Sequence, residues 1–82
     1  MSDSTSQSAR QVSIRDESIR LGQLLKLANL APSGSEARRL LDAEEVLVNG
    51  EIETRRGRTL RPGDLVIASG ATVKVVQQGT EM

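Results

Sequence analysis

The period of the apolar residues changes once, after Glu45, and that change divides the chain in two. Ahead of it, Leu21, Leu24, Leu25 and Ala28 fall at i, i+3, i+4 and i+7, the spacing of one buried helical face. Gly22 within that turn lowers helix propensity by up to ~1 kcal/mol. The spacing still predicts a short helix ending near Asn29, with Pro32 beyond it as a stop. A second helix is predicted over "SGSEARRLLDAEE", Ser33 to Glu45, with Ala37, Leu40 and Leu41 facing inward. Ser33 followed three residues later by Glu36 makes a capping box, in which the hydroxyl takes the Glu36 amide and the carboxylate reaches back. Only a few residues join the two helices, so they form a tight hairpin or corner.

Beyond Glu45 the text turns extended. "VLV", then Asn49-Gly50, then "EIE" predicts a hairpin, because both turn residues tolerate positive φ. "TRRGRT" has no buried periodicity, Leu60 resumes the apolar trace, and Pro62-Gly63 suits the central positions of a type II turn. "LVIA" and "TVKVV", split by Ser69-Gly70, are two more short strands, and Val12 with Ile14 predicts a weak edge strand. The fold class is therefore α+β: a two-helix corner packed on a small, mostly antiparallel sheet of three to five short strands. Residues 1–11 are expected to be a disordered polar tail, 12–77 a single domain and 78–82 a frayed end.

Composition removes several functions. Among 82 residues there is no cysteine, histidine or aromatic side chain. The usual nucleophile–base pairs cannot be assembled, so no catalytic residue is assigned and an enzyme is not expected. No metal-ligand cluster, phosphate loop or dinucleotide glycine pattern occurs, so no metal, cofactor or small-molecule substrate is expected. Glu51 and Glu53, at i and i+2, are read as a solvated strand face balancing nearby arginines. The polar N-terminus and the lack of a long apolar run point to a cytoplasmic chain without membrane contact. Missing aromatics also remove the stacking platforms that hold single-stranded bases.

One segment stands apart. Arg55, Arg56, Arg58 and Arg61 lie within seven residues of a chain whose formal net charge is zero. Guanidinium forks suit phosphate oxygens, and Gly57 lets the backbone approach a bulky polyanion. The same arginines can equally pair with Glu51, Glu53 and Asp64 for solubility, at ~0–1 kcal/mol each. Composition leaves these readings level; position separates them. Arg38 and Arg39 follow the Ser33-Gly34-Ser35 segment, where a helix N-terminus offers free amides and a positive dipole end. Arg38 also sits four residues before Asp42, an ordinary i, i+4 pair. Asp42, Glu44 and Glu45 gather at the far end of that helix, so zero net charge conceals a basic face and an acidic face.

In this order and spacing, "SGSEARRLL", "VLVNGEIETRRGR" and "LRPGD" resemble the small RNA-binding domain of the type found in ribosomal protein S4, the alpha-L motif, in its short stand-alone bacterial form. The same domain type is appended to pseudouridine synthases and some tRNA synthetases. The resemblance runs from Arg20 to about Val66 and loosely to Val76. It implies a basic groove that takes structured RNA, ribosomal RNA or tRNA, with the ribosome itself a partner, and no catalysis. Carried over by position, Arg20 and Lys26 edge the groove from the first helix. Ser33, Gly34, Arg38 and Arg39 seat phosphate at the second, and Asn49, Arg55, Arg56, Arg58 and Arg61 form the opposite wall. The chain departs from the family pattern at Glu44, where a glycine usually closes the second helix in a left-handed turn, and at Leu47, often a lysine. Each missing cation weakens binding and flattens its salt dependence.

A reading from another class is a protein-interaction adaptor that docks a partner through the acidic helix end or a strand edge, its arginines only solvated. Strong affinity for RNA in isolation counts against it. A small sulfur carrier is set aside, because the chain ends "QQGTEM" without a Gly-Gly. A monomer is expected.

Overall fold

Two residues of positive φ account for how both helices stop. The computed structural model describes residues 10–78. Helix α1 spans Leu21–Leu27 and α2 spans Gly34–Asp42. Asn29 follows the α1 cap at φ 63° and Glu44 follows the α2 cap at φ 60°. At each end the next two amides return to the last turn: Asn29 to Lys26 and Leu30 to Leu25, Glu44 to Leu41 and Glu45 to Leu40. Both are complete Schellman motifs. Glu44 thus takes the left-handed conformation expected of a glycine, and α2 ends at Asp42 rather than running to Glu45. At the start of α2 the Ser33 hydroxyl accepts from the Glu36 amide at 3.2 Å, as the capping box requires. The Glu36 carboxylate does not reach back; it pairs with Arg39.

Seven strands follow the same economy of turns. They are β1 (Arg10–Ile14), β2 (Ile19–Arg20), β3 (Leu47–Val48), β4 (Glu51–Ile52), β5 (Thr59–Leu60), β6 (Leu65–Ala68) and β7 (Ala71–Gln77). Asn49 and Gly50, at φ 53° and 88°, close β3 onto β4; Ser69 and Gly70, at 53° and 77°, close β6 onto β7. These are two-residue hairpin turns whose twist matches that of the strands. Five strands make one sheet in the order β1-β7-β6-β3-β4, and β2 and β5 make a separate pair. All pairings are antiparallel except β1 with β7, which is parallel.

Leu21, Leu24 and Leu25 of α1 and Ala37, Leu40 and Leu41 of α2 bury against Val48, Val66, Val73 and Val75 of the sheet. The α+β architecture and the inward faces of both helices agree with the sequence reading. Strand β1 begins at Arg10, two residues ahead of the expected domain start, and the Arg10 guanidinium donates to the Ala28 carbonyl at the end of α1. Gln78, expected in the frayed end, donates its amide to the Ile14 carbonyl at 2.8 Å. Residues 1–9 of the expected tail and 79–82 of the expected end lie outside the described residues. Among the described residues no helix is long and apolar enough to cross a membrane.

Candidate nucleic-acid interface

The first turn of α1 has no side-chain cap; a distant loop supplies the acceptors. The Leu21 amide donates to the Arg58 carbonyl at 2.8 Å and the Gly22 amide to the Arg56 carbonyl at 2.9 Å. The arginine-rich segment is therefore fastened to α1 by its backbone, and the β2–β5 pair, Arg20 opposite Thr59, holds its far end. Within the segment, the Arg58 amide returns to the Arg55 carbonyl at 3.3 Å, closing a turn over 55–58.

Glu53 organises that turn. It is 6% exposed, the buried charged residue among those described. Strand β4 ends at Ile52, yet the Glu53 amide still donates to the Val46 carbonyl at 2.9 Å; its side chain is buried, not on the solvated strand face predicted for it. Its carboxylate accepts from the amides of Thr54 and Arg55 at 3.0 and 2.9 Å. Arg55 adds a fork through Nε and Nη2 at 3.0 and 3.2 Å, and Arg58 adds Nη1 at 2.8 Å. The Arg55 side chain, then Arg58 and the Arg55 amide, hold the carboxyl down at about 2, against burial, which pushes it up. Arg55 in turn is raised, first by its hydrogen bond to Glu53.

The loop arginines therefore divide. Arg55 and Arg58 serve Glu53, and Arg58 is only 32% exposed along its side chain. Arg56 points instead across Gly22. There it lines an open groove of ≈ 420 Å³ together with Arg20, Gln23, Lys26, Gly34 and Ala37. Arg20 reaches over the groove to the Gly57 carbonyl at 3.4 Å. Among the described residues no carboxylate lies within ion-pair distance of Arg20, Lys26 or Arg56.

Four of the eleven expected site residues thus meet at one groove: Arg20, Lys26, Gly34 and Arg56. Ser33 adjoins it as the α2 cap. Arg38 and Arg39 are exposed on α2, Arg38 3.9 Å from Asp42 and Arg39 on Glu36, which raises the Arg39 pKa. Asn49 is a brace. Its amide and side-chain oxygen engage Leu65 at 2.8 and 3.0 Å, and its Nδ2 donates to Asp64 at 3.1 Å. Arg61 opens the Pro62-Gly63 turn, its amide on the Asp64 carboxylate at 2.8 Å. Sequence reasoning missed Gln23 as a groove residue and Glu53 as the anchor. The signal for Glu53 was present: an acid followed at two and five residues by arginines.

With this geometry in view, a family model described as the S4 domain matches residues 12–76. The chain belongs to the S4 domain family. A relative described as the probable ribosome maturation protein RlbA of Bacillus subtilis (strain 168) is 50% identical over 62 residues, covering 76% of this chain and 87% of that protein. A tyrosine--tRNA ligase of Xanthomonas campestris pv. campestris is 41% identical over 54 residues, 66% of this chain but only 13% of the ligase. The S4 domain match begins at Val12, two residues inside β1, and ends at Val76, one residue short of the end of β7.

Proposed function

We propose that this S4 domain is a non-catalytic RNA-binding module that engages structured RNA through the groove between α1, the first turn of α2 and the 55–58 turn. The observation that carries the reading is the convergence of Arg20, Lys26 and Arg56 on Gly34, with no carboxylate within ion-pair distance of the three among the described residues. Three uncompensated cations on one concave surface attract phosphates and release their counterions. The amides of Gly34 and Ser35, which have no protein acceptor among the described residues, add donors at the positive end of a helix dipole. Arg38, Arg39, Arg55, Arg58 and Arg61 extend the positive field around the groove. Without aromatic side chains the ligand is folded or duplex RNA, read by backbone and shape.

A relative named for ribosome maturation and another named as a tRNA ligase support ribosomal RNA or tRNA as the ligand class. On this reading the chain acts in the cytoplasm, at or near the ribosome, as a monomer. The test is fluorescence anisotropy with a ribosomal RNA fragment, a tRNA and a matched DNA duplex across a salt series. RNA-preferring binding that weakens steeply with salt, and that falls in Lys26→Ala and Arg56→Ala with a slope shallower by about one ion each, supports the reading. Weak binding indifferent to both substitutions overturns it in favour of a protein-interaction adaptor.

A further inference from the structure

Glu53 subtracts a charge from the segment richest in cations, and it lies buried where a solvated acid would serve solubility as well. Five donors converge on its two oxygens, two of them the backbone amides of Thr54 and Arg55, at the entry to the turn. Arg55 and Arg58 are drawn from opposite ends of the 55–58 turn onto one carboxylate. Arg56, between them, is left on the α1 side, with its carbonyl on the Gly22 amide. A buried carboxylate with every lone pair engaged is rigid, and breaking it exposes unpaired partners, so it fixes a conformation more than it adds net stability.

We propose that Glu53 is a positioning residue for RNA binding: its buried carboxylate holds the 55–58 turn so that Arg56 faces the groove beside Arg20 and Lys26, while Arg55 and Arg58 act chiefly through the turn. This rests on the RNA-binding reading above and goes beyond it by dividing the arginine cluster into one contacting residue and two supporting ones.

Simple electrostatics gives the opposite sign, which makes the proposal testable. Removing an acid from a polyanion-binding surface raises affinity if Glu53 only subtracts charge. Glu53→Gln and Glu53→Asp are compared with the wild-type chain for binding to the same folded RNA, with folding checked by circular dichroism. Glu53→Asp keeps the charge but shortens the reach. Both variants are expected to lose about tenfold in affinity, the scale of one charge-assisted contact. Binding equal to or tighter than wild type in both overturns the proposal. Hydrogen exchange on the free wild-type chain supplies a readout independent of the variants. Protected Thr54 and Arg55 amides are expected, and unprotected ones show that the turn is not preformed and overturn it. A wild-type chain that binds no RNA instead removes the functional reading itself, a distinct result.

Discussion

Arg56 lies directly over Gly22: a methyl group at position 22 would meet Arg56 Cγ at 2.5 Å and Cδ at 3.1 Å. The glycine that weakens α1 by propensity is the one that lets the loop arginine cross it. Gly22→Ala is expected to destabilise the wild-type chain by about 1–2 kcal/mol through overpacking. In an Arg56→Ala background the same change is expected to stabilise by about 0.5–1 kcal/mol, since the helix gains propensity and the obstruction is gone. Chemical denaturation of the four proteins measures the cycle. An equal effect in both backgrounds would mean that the contact carries no energy.

Glu44 holds a left-handed backbone with a side chain that disfavours it. Glu44→Gly keeps the Schellman bonds, because they are made by backbone atoms alone, and relieves a cost of roughly 1–2 kcal/mol. The unfolded chain gains freedom with the glycine, so the net expectation is a rise of about 0.5–1 kcal/mol. A shifted urea midpoint at unchanged slope is the readout.

The Glu53 carboxyl titrates at about 2 in the fold, below an ordinary value of 4.5. A lowered carboxylate pKa stabilises the folded state above the ordinary value and loses that contribution as the pH falls through the folded one. Wild type is therefore expected to exceed Glu53→Gln by about 2 kcal/mol near neutrality. The difference shrinks from about pH 5 downward, is mostly gone by about pH 2 and vanishes only below it. Denaturation midpoints of both proteins at several pH values check it; a gap constant down to pH 2 would locate its origin outside the charge.

Asn49 and Asp64 clamp the β3–β4 hairpin to the turn before β6. Asn49→Ala and Asp64→Ala are each expected to cost about 1–2 kcal/mol, and together less than the sum, because each removes the other's partner. RNA affinity measured well below the unfolding transition is expected to change little in Asn49→Ala, in contrast to Arg56→Ala. A large affinity loss in the folded Asn49→Ala protein would return Asn49 to the RNA contacts.

Local signals carried much of the architecture. Leu21, Leu24, Leu25 and Ala28 are all buried, and both two-residue turns have the positive φ that Asn49-Gly50 and Ser69-Gly70 suggest. What escaped depends on how the chain folds back on itself, near or far in sequence. Alternation sets Glu53 on the same strand face as Glu51, and the arginines two and five residues on mark its partners, but neither pattern says that the acid is buried beneath them. Gly22 reads as a weak helix position because its reason lies at Arg56, thirty-odd residues on. The basic segment was legible as a cluster; its division into groove and brace was not, since Arg55, Arg56 and Arg58 are chemically alike and differ only in where the turn points them.

The parallel pair of β1 and β7 brings Arg10 beside Val73, near opposite ends of the domain. A ribosome adding about 5–20 residues per second leaves β1 without its partner for roughly 3–13 s. During that interval the helices and the β3–β4 hairpin can form, while Val12 and Ile14 wait uncovered. The sheet closes only when the last strand leaves the exit tunnel, so a stalled or shortened product is expected to remain open at its first strand and exposed to proteases.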